Sequence, residues 1–147
     1  MIVRYQNYED KYDAINGRTF DQRGALWELL HRRKNQRPHA AALTGDNGYE
    51  ITFGISTDRC AVQFARADGS PPYLMAVSPC PSMKRGYVEF YCGGTPTPFA
   101  ARYAISFPEL EEIALHFLET GEKSEAVSWQ VLSPRAGKED AERAADS

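Results

Sequence analysis

Two short turn signals between apolar segments constrain the fold of this chain more than any other feature. Asn47-Gly48 and Asp68-Gly69 are dipeptides typical of tight β-turns, and each lies between two segments of strand length. Parallel strands need a crossover of about a dozen residues, which neither turn provides. The sequence therefore predicts two antiparallel hairpins. Their strands are predicted at residues 40–44, 49–55, 60–67 and 73–78.

Two amphipathic segments predict helices that cover this sheet. The first extends from Asp21, the predicted N-cap, to about Asn35. The second begins at Ser106, which forms a capping box with Glu109, and ends at Gly121, a natural C-cap. Apolar residues recur at helical spacing in both segments, so each helix has one buried face. The predicted buried residues are Leu26, Leu29 and Leu30 in the first helix and Leu110, Ile113, Ala114, Phe117 and Leu118 in the second.

Three further strands are predicted near the second helix. Residues 87–92 alternate between apolar and polar side chains, and residues 93–98, which hold two glycines and two prolines, predict a turn. The next strands are predicted at residues 101–105 and 127–132. The fold class is therefore α+β, an antiparallel β-sheet of about six strands with two main α-helices packed on one face.

Length and composition predict one domain of ordinary size. The chain has 147 residues, of which 42% are hydrophobic, and we expect a single domain over residues 1–132. Residues 133–147 are polar and lack apolar periodicity, so a disordered tail is expected there. Without an apolar span or a signal peptide, we expect a cytoplasmic protein that does not bind membranes. Cys60, Cys80 and Cys92 contain no CxxC pair, so neither a disulfide framework nor a zinc site is predicted.

The charge of the chain changes along its length. Residues 1–43 hold eight Lys and Arg against five Asp and Glu, whereas residues 44–132 hold six against eleven. The net charge of −5 in the second segment suits a basic protein partner. Tyr87 and Tyr91 flank Glu89 on a predicted strand, and exposed tyrosines are common interface anchors. A helix covering that side of the sheet would bury them equally well.

No local motif predicts catalysis or cofactor binding. His31, His39 and His116 lack the spacing of metal ligands, so no metal or cofactor is predicted. Two alternatives to a protein-binding role remain open. A small cysteine-dependent enzyme would use Cys92 as its nucleophile. A regulatory module would bind nucleic acid through the basic cluster Arg32, Arg33, Lys34 and Arg37, although the net acidity of the chain argues against direct nucleic-acid binding.

Residues 87–132 resemble a known family, and residues 24–78 share its order of elements. The segments VEFYCGGTPTPF and YAISFPELEEIALHFLETGEKSEAVSWQVL are similar to the bacterial immunity proteins of polymorphic toxin systems, which are often encoded beside nucleic-acid deaminase toxins. The sequence departs from the family at Glu122-Lys123-Ser124, where an Arg-Pro pair is usual, and in its longer tail. The matching residues are Phe90, Tyr91, Gly93, Gly94, Phe117, Leu118, Thr120, Gly121 and Trp129.

This resemblance implies an inhibitor that has no enzymatic activity and needs no cofactor. Such a protein would bind a cognate toxin domain and block its active site or substrate channel. Trp129 and Gly121 are assigned to structure, as a buried indole under the second helix and a left-handed helix cap. We expect the contact surface to use acidic and tyrosine side chains of the sheet and its loops. The predicted contact residues are Asp46, Glu50, Asp58, Tyr87, Glu89 and Tyr91.

Overall fold

One β-sheet and two α-helices account for the structure, a computed structural model that describes residues 1–80 and 85–132. The predicted α+β class is confirmed, but the described residues form ten strands where the sequence predicts about six. The strands are β1 Val3–Asn7, β2 Thr19–Phe20, β3 His39–Gly45, β4 Tyr49–Ile55, β5 Arg59–Arg66, β6 Tyr73–Val77, β7 Tyr87–Cys92, β8 Thr95–Ala100, β9 Ile105–Ser106 and β10 Ser128–Leu132. The helices are α1 Arg23–Arg33 and α2 Phe107–Thr120.

The strands follow the order β10-β6-β5-β4-β3-β1-β2, and each of these pairings is antiparallel. Both predicted hairpins are confirmed, since β3 pairs with β4 and β5 pairs with β6. Gly48 and Gly69 adopt φ of 85° and 82° in the two turns, a conformation open to glycine without strain. β7 forms a further hairpin with β8 and meets β3 in parallel at the pair His39 and Tyr91.

Both helices pack on one face of the sheet. The capping box of Ser106 and Glu109 and the left-handed cap at Gly121 are confirmed. The N-cap of α1 is Gln22, without a side-chain hydrogen bond, so the prediction of Asp21 was wrong. The predicted apolar faces of both helices are buried. Packing of its apolar face against the core therefore stabilises α1 without a capping side chain. The sheet residues in the same core include Val3, Tyr5, Leu43, Ile51, Phe53, Ile55, Val62 and Phe64.

The opposite face of the sheet is covered in part by the β7–β8 hairpin. In the strand register, Gly54 lies between Ala40 and Ala61, so three small residues on neighbouring strands form a shallow lane. The ring of Phe90 fills this lane and is 1% exposed. A Cβ on Gly54 would lie 2.4 Å from Phe90 ring atoms, so only glycine permits this contact. The ring of Phe99 meets Phe90 edge to face at 5.7 Å.

The segment after β7 differs from the prediction. Residues 93–98 were predicted as a turn and residues 101–105 as a strand, but the strand is Thr95–Ala100 and a 3₁₀ turn follows at Ala101–Tyr103. Prolines at positions 96 and 98 fit a strand here because β8 pairs only with β7 within the described chain. An edge strand needs backbone donors on one side alone, which makes proline acceptable at alternate positions.

The two ends of the chain also differ from the predictions. The strands Val3–Asn7 and Thr19–Phe20 were missed. Val131 on β10 is 61% exposed, so the predicted apolar face of this last strand extends only as far as Trp129. The predicted tail at residues 133–147 lies outside the described residues. Neither of the two described helices has the length and apolar character needed to cross a membrane.

Replacing Gly54 with alanine should destabilise the fold by about 1–3 kcal/mol, because the new methyl group would displace the packed Phe90 ring. Urea unfolding measures the change. Gly24 is the matched control, since a Cβ there meets nothing within 4 Å and alanine favours the helix by about 0.5–1 kcal/mol. Equal free energies of unfolding for Gly54→Ala and the wild type would contradict the close packing of the Phe90 ring on Gly54.

The free energy of unfolding should decrease as the pH is lowered below about 6.5, because His39 is buried in the folded protein. This side chain is 1% exposed, its Nδ1 donates to the Arg37 carbonyl at 2.8 Å, and burial lowers its pKa. The unfolded chain therefore binds the proton more readily, so stability present above pH 6.5 is lost as the pH falls, by up to about 1.4 kcal/mol per pH unit. Urea unfolding between pH 7.5 and 5.5 measures the slope. It should flatten in His39→Gln and persist in the control His116→Gln, and an unchanged slope in His39→Gln would contradict this assignment.

Candidate partner-binding surface

The outer face of the β7–β8 hairpin is a candidate docking surface for a protein partner. Phe90 turns inward onto the sheet, so Tyr87, Glu89 and Tyr91 turn outward by strand alternation. Tyr87 is 50% exposed, which decides against a covering helix on this side. Across the hairpin, Glu89 pairs with Pro98. An open cleft of about 370 Å³ here is lined by Tyr87, Glu89, Pro96, Pro98, Phe99 and Ala100.

A second cleft joins this hairpin to the β4–β5 turn. It has a volume of about 280 Å³ and brings Asp58 to the same surface as Tyr87 and Glu89. The Ser56 hydroxyl shapes the turn, since it donates to the Arg59 carbonyl at 2.6 Å and accepts from the Asp58 N–H at 3.2 Å. Three of the six predicted contact residues therefore lie together. We call the residues Asp58, Tyr87, Glu89, Pro96 and Pro98 the hairpin surface.

Tyr91 lies on the same side of the hairpin but is partly covered. The Arg37 guanidinium is 3.8 Å from the centre of its ring, in the geometry of a cation–π contact. Arg37 also pairs with Glu9, whose other carboxylate oxygen accepts the Gly94 N–H at 3.3 Å. The hydrogen bond from Arg37 lowers the pKa of Glu9 below its usual value. This arrangement holds the turn of the hairpin against the segment after β1.

The other two predicted contact residues lie near the far end of β3. Asp46 is in the β3–β4 turn, and Glu50 pairs with Thr44 close to it. The seven residues of β3 place this turn roughly 20 Å from the hairpin surface at about 3.3 Å per residue. Glu50 points to the face away from the helices, where the Thr44 hydroxyl donates to its carboxylate at 2.7 Å. The six predicted residues thus form two groups.

Five residues of the hairpin surface and of the region around Glu50 were not predicted. They are Tyr8, Thr44, Thr52, Pro96 and Pro98. Thr44 and Thr52 have the strand parity of Glu50, so alternation within the predicted strands carried the signal for them. Tyr8 and the prolines were missed because β1 is short and β8 contains residues that usually end strands.

The thiols offer little support for the cysteine-dependent enzyme. Cys60 is buried and its Sγ donates to the Ser56 carbonyl. Burial raises the pKa of Cys60 to about 12, so this group is a thiol and not a nucleophilic thiolate at neutral pH. Cys92 is exposed on β7, and no hydrogen bond joins it to a histidine within the described chain. Residues 1–80 and 85–132 also hold no cluster of three His, Cys, Asp or Glu side chains suited to a metal ion.

The basic cluster proposed for nucleic-acid binding is largely neutralised within the chain. Arg32 pairs with Glu28, and Arg33 forms a mostly buried pair with Asp13 at 2.9 Å. Arg37 is held by Glu9, as described above. The Lys34 ammonium lies over the ring of Phe107 at 4.7 Å from its centre. A surface whose cations already have partners has little charge left for phosphates.

Comparison with known proteins identifies the family. A search of curated proteins finds no match for this chain. The sequence model of immunity protein Imm1 matches residues 23–131, which include both helices and the strands β3 to β9. The predicted resemblance to immunity proteins is thus confirmed. The chain belongs to the Imm1 family of immunity proteins.

Proposed function

We propose that this protein protects its own cell by binding a cognate toxin domain in the cytoplasm, that the toxin is a nucleic-acid deaminase, and that binding covers the toxin's active site. Membership of an immunity protein family supports the inhibitory role and a protein partner. Because inhibition by coverage needs no bond to be made or broken, it requires no catalytic group or cofactor in this chain.

The hairpin surface is the observation that carries the proposal. Tyr87 offers an aromatic anchor that is half exposed beside two prolines. Asp58 and Glu89 add two negative charges next to it, against the one positive charge of Arg59 in the same cleft. Aromatic anchors in clefts with a charged rim are typical of protein interfaces. A standard interface buries about 800 Å² on each partner. The hairpin surface and the region around Glu50 lie roughly 20 Å apart, which is within the width of such an interface.

The acidic groups favour a toxin that binds nucleic acid. A deaminase must hold the phosphate backbone next to the pocket that receives the target base, so its groove carries positive charge. An acidic surface that enters this groove gains attraction from the charges that serve the substrate, and it excludes the substrate at the same time.

Co-expression with the C-terminal toxin domain encoded by the adjacent open reading frame tests the function. We expect cell survival, a complex of one toxin domain with one immunity protein, and loss of deamination of single-stranded DNA or RNA by the purified toxin when the complex forms. Survival without a complex would contradict direct inhibition. A complex with a toxin of another activity would retain the immunity role and exclude the deaminase assignment.

Reversing the charge of both Asp58 and Glu89 to lysine should slow association with that toxin domain by about tenfold or more at low salt, because steering depends on complementary charge. Stopped-flow or surface plasmon resonance measurements give the rate, and the difference should shrink in high salt. The control reverses Glu112 and Glu122, two exposed residues of the α2 side with the same total charge change. Equal slowing by both pairs would show that net charge acts without the hairpin surface.

A further inference from the structure

Glu50 is held on the open face of the sheet by two threonine hydroxyl groups, and the Tyr8 hydroxyl lies close to it. The Thr44 hydroxyl on β3 donates to its Oε2 at 2.7 Å, and the Thr52 hydroxyl on β4 donates to its Oε1 at 3.2 Å. The Tyr8 hydroxyl reaches the same Oε1 at 3.5 Å. The carboxylate therefore has a fixed position above the strands, with both oxygens anchored by neutral donors.

Four other carboxylates contact side chains that are far away in the sequence, and their environment differs from that of Glu50. Glu9, Asp13, Glu111 and Glu119 each contact an arginine or a histidine. No lysine, arginine or histidine of the described chain forms such a pair with Glu50. Within residues 1–80 and 85–132 its carboxylate is therefore oriented without an ion pair, although Arg4 follows Thr44 in the same row across the sheet.

The surroundings of Glu50 are rigid and partly exposed. Thr44 and Glu50 are directly paired across β3 and β4, two inner strands of the sheet, close to the turn that joins them. The backbone of Tyr8 is fixed at both ends, since its N–H donates to the Ala40 carbonyl at 3.0 Å and its carbonyl accepts from Gly93 at 2.9 Å. The side chain of Tyr8 is still 39% exposed. A partner group that arrives from solvent would thus meet a preorganised acceptor at little entropic cost.

The pKa of Tyr8 reports the same local charge. Burial raises it above the ordinary value, and the negative charge of Glu50 raises it further. A cation that neutralised Glu50 would remove that second contribution.

We propose that Glu50 is the receptor for one arginine side chain of the bound toxin domain, with Tyr8 as a flanking aromatic wall. The inference rests on the proposed function and specifies the chemistry of its partner. Each carboxylate oxygen has two acceptor sites, so the Thr44 and Thr52 hydroxyls leave one site on each oxygen. A planar guanidinium can donate one hydrogen bond to each of these sites in place of the more distant Tyr8 hydroxyl, and it also stacks on an aromatic ring. A lysine ammonium is a point charge that uses neither the second oxygen nor the ring as well. Arginine is also enriched in interfaces.

The test measures affinity for the toxin domain encoded by the adjacent open reading frame. Glu50→Gln keeps the shape of the side chain and removes its charge, and we expect the dissociation constant to rise about 10- to 100-fold. Glu112→Gln is the matched control, because it removes the same charge from an exposed position on α2, and its effect should stay below about twofold. Thr52→Val keeps the charge but removes one anchoring hydroxyl, so a smaller loss is expected.

Lysine scanning of the toxin domain identifies the group that Glu50 receives. Each arginine of the toxin's groove is replaced by lysine, which keeps the charge but loses the planar fork. One such change should weaken binding to the wild type by about tenfold and have little further effect on Glu50→Gln, as a double-mutant cycle requires for a direct contact. Additive losses for every toxin arginine would overturn the arginine assignment.

The outcomes separate this inference from the proposed function. If Glu50→Gln binds as tightly as the wild type in a stable inhibitory complex, the function stands and the role of Glu50 is refuted. If the wild type forms no complex with the toxin domain, the proposed function fails and the inference fails with it. Circular dichroism of Glu50→Gln establishes that any loss of affinity comes from a folded protein.

Discussion

The contact between Gly54 and Phe90 is the constraint on which the surface of this protein depends. A sheet with helices on one face leaves its other face open, and large side chains at the centre of that face would keep a second layer away. Here the lane of Ala40, Gly54 and Ala61 is shallow enough for an aromatic ring to lie on the strands. The β7–β8 hairpin is therefore anchored through its inner side, and its outer side remains free to carry Tyr87 and Glu89.

The two faces of the sheet have different physical roles. The helix side holds most of the large apolar side chains, and its burial supplies the main driving force for folding. The open side beyond the hairpin is polar, with Thr44, Glu50 and Thr52 in hydrogen-bonding contact. The structure thus places the apolar core and the proposed recognition surface on opposite faces of the sheet. Substitutions on the open side would leave the apolar core undisturbed, which suits an immunity protein.

Sequence reasoning succeeded where local chemistry decides the conformation. The capping box at Ser106, the glycine cap at Gly121 and the two glycine turns were predicted because each depends on a few adjacent residues. It failed at β8, where proline was taken as a turn residue, since the status of a strand as an edge depends on the whole sheet. The N-cap of α1 was also wrong, because core packing holds this helix without a capping side chain.

The sequence by itself determined the α+β class, the two helices and their buried faces, the antiparallel hairpins and the resemblance to immunity proteins. These follow from periodicity, turn residues and motif, which are properties of neighbouring positions. Only the tertiary structure decided that Asp58 shares a cleft with Tyr87 and Glu89, and that three hydroxyls surround Glu50. Such groupings join residues up to 42 positions apart in the sequence. They depend on strand order and on which face each side chain occupies, and a sheet sets both through the pairing of all its strands at once.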